Sequence, residues 1–318
     1  MKKRYRTISL LLAGLVLVAT SACSGGTTSP AASTANSSSA GASANGGPKK
    51  IALLMASLTT DFFVQIEAAA QKYAKEKNVQ LTVFTCDNDA AKELSNMEDI
   101  VGQKPDLILF TPVDSAAAVA SVEKANAAGI PVVTFDRGAN GGKVVSHIAS
   151  DNAAGGKMAA DYIKQRFPNG ANVVELQGIL STDVAKQRGA GFDTALKEAP
   201  NMKLVAQQSA NFDKSQGMTV FENVLQANDK IDAVFAQNDE MALGAMQAAQ
   251  AAGRTDIAIV GFDASPEAVK AVQDGKMAAT IAQLPDKIIQ TAIDTSLAYL
   301  AGETVKPEIG IELKLITK

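Results

Sequence analysis

Two aspartates, Asp136 and Asp263, each stand directly after a phenylalanine that closes an apolar run, PVVTF (131–135) and AIVGF (258–262). Arg137 follows the first. Other polar or aromatic residues stand after similar runs: Thr60, Phe62 and Phe63 after IALLMA (51–56), Arg188 beyond VVELQG (173–178), Phe212 beyond KLVA (203–206), Asn238 beyond AVFA (233–236) and Gln283 after ATIA (279–282). A carboxylate accepts paired hydrogen bonds, a guanidinium donates them, and an amide does both. Such a set suits a molecule crowded with vicinal hydroxyls, and phenyl rings pack against its apolar C–H faces. Two Asp and two Arg cancel, so the expected ligand is neutral: a monosaccharide.

The same two carboxylates could be read as a glycosidase acid/base pair. The sequence argues otherwise, because Arg137 and Arg188 are expected to hold both ionised and so remove the general acid. No P-loop, G-x-S-x-G or H-E-x-x-H occurs. His147 is the only histidine, and in VVSHIAS it alternates with apolar residues, which suggests a strand or hinge position. With two cysteines and one histidine, a His/Cys metal cluster cannot be assembled. The expectation is no enzyme, no metal and no cofactor. The positions chosen for ligand binding are Thr60, Phe62, Phe63, Asp136, Arg137, Arg188, Phe212, Asn238, Asp263 and Gln283. Arg188 is expected at the cleft rim, where its truncation would spare the unliganded fold.

What must position these residues is a parallel sheet. The apolar runs are those of strands buried on both faces, and segments of helical spacing separate them. Strands are predicted at 51–56, 81–85, 107–111, 131–135, 172–176, 203–206, 233–236, 257–261 and 278–282, with early helices at 62–77, 90–102 and 115–128. Alternation of this kind implies α/β architecture, doubly wound parallel sheets with right-handed crossovers. Ligands of such sheets bind beyond the strand carboxyl ends, where the ten residues fall. An internal echo implies two lobes: KPDLILF leads to Phe135-Asp136, and KIDAVF leads to Phe262-Asp263.

The chain has 318 residues and a net charge of −3, enough for two lobes and without the basic footprint of a nucleic-acid binder. Its first 23 residues read as a signal peptide: Lys2, Lys3, Arg4 and Arg6, an apolar run, then Thr20-Ser21-Ala22 before Cys23. That cysteine matches a bacterial lipobox, apart from Thr20 where Leu is usual, and is expected to carry lipid. Residues 24–48, almost wholly Ser, Thr, Ala, Gly, Asn and Pro, are expected to form a flexible linker. Cys86 is assigned no function.

Several longer motifs carry a resemblance. FFV (62–64), FDRG (135–138), VVSHIASDN (144–152), ELQG (175–178), FAQNDEMALGA (235–245), VGFD (260–263) and ATIAQLPD (279–286) resemble the periplasmic ribose-binding proteins. These are solute receptors of sugar ABC importers. The resemblance spans about 49–318 and implies a type I periplasmic-binding fold with a three-crossing hinge. It places 49–150 and 284–312 in an N-terminal lobe, and 151–283 and 313–318 in a C-terminal lobe. It also implies a monomer outside the cytoplasm that delivers D-ribose to a permease; the lipobox adds a lipid anchor on the outer face of the membrane, with a freely secreted or periplasmic protein as the alternative. Two loops depart. Thr59-Thr60-Asp61 stands where the family usually has Asn-Asn-Pro, and Thr111-Pro112 where it has Asn-Pro. Another pentose or a furanose-like sugar is therefore the competing ligand. A sugar-responsive regulator would need a basic helix-turn-helix at the N-terminus, where this chain has a secretion signal. A receptor that also faces a chemosensor would use the same cleft.

Overall fold

Buried β-branched and leucine runs build the strands, and alanine-rich segments of helical period cover them. The computed structural model describes residues 47–318; the expected signal peptide, Cys23 and nearly all of the linker lie outside them. The first half runs β1 (Lys49–Met55), α1 (Asp61–Glu76), β2 (Val79–Thr85), α2 (Ala90–Gln103), β3 (Leu107–Thr111), α3 (Ala118–Ala127), β4 (Val132–Phe135) and β5 (Ser146–Ser150). The second runs α4 (Asn152–Arg166), β6 (Ala171–Gln177), α5 (Asp183–Lys197), β7 (Met202–Ser209), α6 (Lys214–Ala227), β8 (Ala233–Ala236), α7 (Asp239–Ala251), β9 (Ala258–Asp263), α8 (Pro266–Gln273) and β10 (Ala279–Ala282). The chain closes with α9 (Pro285–Leu300), β11 (Glu308–Ile311) and β12 (Lys314–Thr317).

The strands form two six-stranded sheets, ordered β11-β5-β4-β3-β1-β2 and β12-β10-β9-β8-β6-β7. The two orders correspond position for position, so β4 and β9 are equivalents. The internal echo is therefore topological: Asp136 follows β4 and Asp263 ends β9. The chain passes between the sheets after β5, after β10 and between β11 and β12. Each lobe has its own core. Met55, Phe110, Phe135 and Ile293 are among the residues packed on the first sheet, and Phe221, Phe235 and Phe262 among those on the second.

Three details differ from the sequence reading. The sheets are not wholly parallel, because β12 pairs antiparallel with β10, whereas its counterpart β11 runs parallel to β5. Helix α3 begins at Ala118 rather than 115, because the Asp114 carboxylate accepts hydrogen bonds of 2.7 Å from both the Ala116 and Ala117 N–H groups. That local turn displaces the first helical turn. Strands β11 and β12 are four residues each and half-exposed, too short to stand out as apolar runs.

Candidate functional site

All ten residues singled out from the sequence line one cavity, together with Val184. The strand ends of both sheets face it. On the first sheet's side Thr60, Asp136 and Arg137 stand in loops and Phe62 and Phe63 on α1; on the second's, Phe212 and Asn238 stand in loops, Val184 and Arg188 on α5 and Asp263 at the end of β9. Gln283 sits where the chain crosses after β10. Val184 was missed by the sequence reading, although it lies four residues before Arg188 on α5 and so shares its face.

Backbone strain aims several of these side chains. Asp136 (φ 56°), Phe212 (φ 59°) and Asp263 (φ 115°) occupy positive φ, a region rare for residues with a Cβ and for phenylalanine an outlier. Gly178 makes room for the Phe212 ring, since a Cβ there would come within 1.9 Å of the ring's Cζ. Phe62 and Phe63 meet edge to face, 5.3 Å between centroids, and form the wall contributed by α1. The Arg137 guanidinium bridges the walls, 5.2 Å from the Phe63 centroid and 5.7 Å from that of Phe212.

The polar groups divide into those engaged with the protein and those left open. Arg188 donates from Nε to Asn152 Oδ1 (2.8 Å) and from Nη1 to the Gln237 carbonyl (2.6 Å), and stacks on Phe262 at 3.7 Å. It is 3% exposed, so it is a buried structural cation as well as a cavity wall, and the sequence expectation of a rim charge is corrected. Asn238 accepts from the Met241 N–H as the cap of α7 and donates to the Phe212 carbonyl, leaving one amide hydrogen uncommitted. Gln283 donates to Asp263 (2.8 Å) and accepts from the Ser150 hydroxyl (2.7 Å). Thr60 precedes α1 without capping it through its side chain.

Asp136 is different. It is 4% exposed, yet among the described residues no donor hydrogen-bonds its carboxylate, and Arg137 Nε stands 3.9 Å away with no hydrogen-bond partner of its own. Buried polar atoms are normally satisfied, so unpaired ones converging on a cavity mark a place for a polar molecule. Burial pushes the Asp136 carboxyl up to about 6, against the downward pull of Arg137 and Arg188. Burial likewise raises Asp263 to about 7, against Arg188 and the Gln283 hydrogen bond. Asp239, behind Asp263, is pushed well above the usual carboxylate range by burial and by the Asp263 charge. The expectation that the arginines hold both site carboxylates fully ionised is thus corrected: the burial of these carboxyls outweighs two guanidinium groups. Full ionisation therefore no longer rules out a general acid at this pair.

Residues 51–304 match the periplasmic binding protein domain. The chain belongs to the periplasmic binding protein family. This family comprises substrate-binding transport proteins that act outside the cytoplasm, not enzymes. The chain is 47% identical over 268 residues to the ribose import binding protein RbsB of Escherichia coli, covering 84% of this chain and 90% of that protein. It is 41% identical to RbsB of Bacillus subtilis, over 84% and 87% of the respective chains. Among solved structures, an ABC transporter periplasmic solute-binding protein from Actinobacillus succinogenes with bound D-allose superimposes with a TM-score of 0.81 at 32% identity, covering 85% of this chain and 98% of that one.

Among the described residues, this periplasmic binding protein has no group of three or more His, Cys, Asp or Glu arranged to hold a metal. No described helix is long and apolar enough to cross a membrane. His147 lies on β5, with Nδ1 2.9 Å from the Thr134 hydroxyl, and burial lowers its pKa.

Proposed function

We propose that this chain is the extracytoplasmic receptor of a sugar importer, capturing a neutral monosaccharide, D-ribose first, and delivering it to an ABC permease. The observation that carries the reading is the buried pair of Asp136 and Arg137, 3.9 Å apart, whose Arg137 Nε has no hydrogen-bond partner, in a cavity walled by Phe62, Phe63 and Phe212. A sugar hydroxyl donates to the first and accepts from the second. A hydrogen bond to a charged partner contributes about 1.5–3 kcal/mol net, so the pair discriminates sharply against sugars lacking that hydroxyl. Arg188, Asn238, Asp263, Gln283 and Thr60 supply the remaining polar edges.

The lobes comprise 49–150 with 284–312, and 151–283 with 313–318, hinged at the three crossings. Sugar shifts the population toward the closed form, which the permease recognises. The N-terminal segment is a signal peptide cut before Cys23, and lipid on that cysteine tethers the monomeric receptor to the outer face of the membrane through the linker. A second ligand class, another pentose or a furanose-like sugar, has its own support. Thr111, where the ribose-binding pattern has Asn, is fully buried with an unpartnered hydroxyl and does not line the cavity. An amide contact of the ribose-binding pattern is therefore missing here.

Calorimetry and thermal shift against a panel of pentoses and hexoses test the proposal. A large, selective response to D-ribose supports it. A response to another pentose but not to ribose moves the ligand to the second class, and silence across the panel refutes the sugar reading.

A further inference from the structure

Asp183 opens α5, the helix that carries Arg188, and so belongs to the second sheet's lobe. Its carboxylate reaches across to the first. Oδ2 accepts a hydrogen bond of 2.9 Å from the Gly138 N–H, and Oδ1 one of 3.4 Å from the Ser115 hydroxyl. The Asp183 N–H donates back to the same Ser115 oxygen at 3.0 Å. Ser115 follows β3 and Gly138 follows β4, so three hydrogen bonds join the lobes at one aspartate. His147 on β5 lies alongside, with Nε2 3.9 Å from Oδ2.

None of Ser115, Gly138, His147 and Asp183 lines the cavity. The bonds they make therefore do not depend on what the cavity holds, and all of them break when the lobes separate. The carboxylate also sits on the first turn of its own helix and accepts from the Val184 N–H at 2.9 Å, so its own lobe holds it in place. Gly138 is matched to it, because a Cβ at that position would stand 2.9 Å from Asp183 Oδ2.

We infer that Asp183, through Ser115 and Gly138, is a latch that stabilises the closed form of the receptor independently of the ligand and sets how long a captured molecule is retained. The inference rests on the hinged-capture reading above, and it adds a residue that tunes affinity without touching ligand. Apparent affinity scales with the population of the closed state, so a latch acts on every ligand alike. It leaves the order of preference among sugars to the cavity.

The experiment measures D-ribose dissociation by stopped flow, and the radius of gyration by solution scattering with and without sugar. It compares the wild-type protein with Asp183→Ala, Ser115→Ala and the double variant. Asp183 is partly solvent-exposed, so the low end of the range for a charged hydrogen bond applies. Dissociation should accelerate roughly tenfold in Asp183→Ala and less in Ser115→Ala (a factor of ten corresponds to about 1.4 kcal/mol). Association and sugar rank order should hold, and the double variant should fall short of the summed losses, since both changes remove the Ser115–carboxylate contact while the Asp183 N–H bond to Ser115 survives Asp183→Ala and is lost only with Ser115. Dissociation rates within about twofold of wild type in both single variants, or fully additive losses, overturn the latch. If Asp183→Ala does not fold, Ser115→Ala carries the test alone. If no sugar binds, the sugar reading fails by itself. The latch is then judged on the unliganded protein, where a wild type more compact than its variants supports it and equal radii refute it.

Discussion

Replacing Arg188 by methionine removes the charge while keeping an apolar stem over Phe262, and it separates two roles that truncation to alanine would blur. The change strips the Asn152 side-chain oxygen and the Gln237 carbonyl of their donors and leaves Asp263, 4.0 Å from Nη1, without its counter-charge. Removing one partner of a buried charge pair typically costs about 3–5 kcal/mol, and the two lost hydrogen bonds fall within that figure. The loss should depend on pH. Burial already holds Asp263 at about 7, and Arg188 is the strongest influence lowering it. At pH 5 the carboxyl is protonated with or without the arginine, so the ion pair contributes little. At pH 8 the wild type ionises Asp263 beside Arg188, whereas the variant must keep a buried carboxyl protonated against the solvent. Urea unfolding of the unliganded protein at the two pH values measures this. The destabilisation should be a few kcal/mol at pH 8 and smaller by about 1.4 kcal/mol or more at pH 5. A loss below about 1 kcal/mol, or one equal at both pH values, would refute the assignment of Arg188 as a buried structural cation.

Gly178→Ala should displace the Phe212 ring, overpack the wall by about 1–3 kcal/mol and weaken sugar binding roughly tenfold with the fold retained; calorimetry with thermal unfolding separates the two effects. Because the folded-state values of Asp136 and Asp263 are raised above their unfolded ones, closed-form stability is highest near the unfolded carboxylate range and declines as pH rises from about 4 to 7. Denaturant titration across that window should show the decline, and Asp136→Asn with Asp263→Asn should flatten it; an unchanged slope contradicts the burial argument. Cys86 is wholly buried and its thiol is pushed up to about 12, so alkylation followed by peptide mass spectrometry should leave it unmodified in the folded protein at pH 8 and label it in urea.

Much of the site was legible because a parallel sheet imposes one geometric rule. All strand carboxyl ends point the same way, so the residues just beyond the apolar runs converge. Thr60, Phe62, Phe63, Asp136, Arg137, Arg188, Phe212, Asn238, Asp263 and Gln283 gather around one cavity for that reason. The correspondence of Asp136 with Asp263 was visible on the same ground, as nearly equal spacing within two similar strand–helix–strand segments. Val184 could have been added from its i, i+4 relation to Arg188. The antiparallel pairing of β12 could not, because four half-exposed residues leave direction to the partner strand.

Residue order by itself determined the alternation of strand and helix, the two-lobed plan and the inventory of cavity walls, since these arise from local periodicity and from the handed, one-way connectivity of βαβ units. Tertiary structure alone decided that Arg188 is buried against Phe262, that Asp136 lacks a donor, that both site carboxylates titrate high, and that Asp183 meets Ser115 and Gly138. Desolvation and hydrogen bonding depend on neighbours brought together from distant parts of the chain, which no local pattern records.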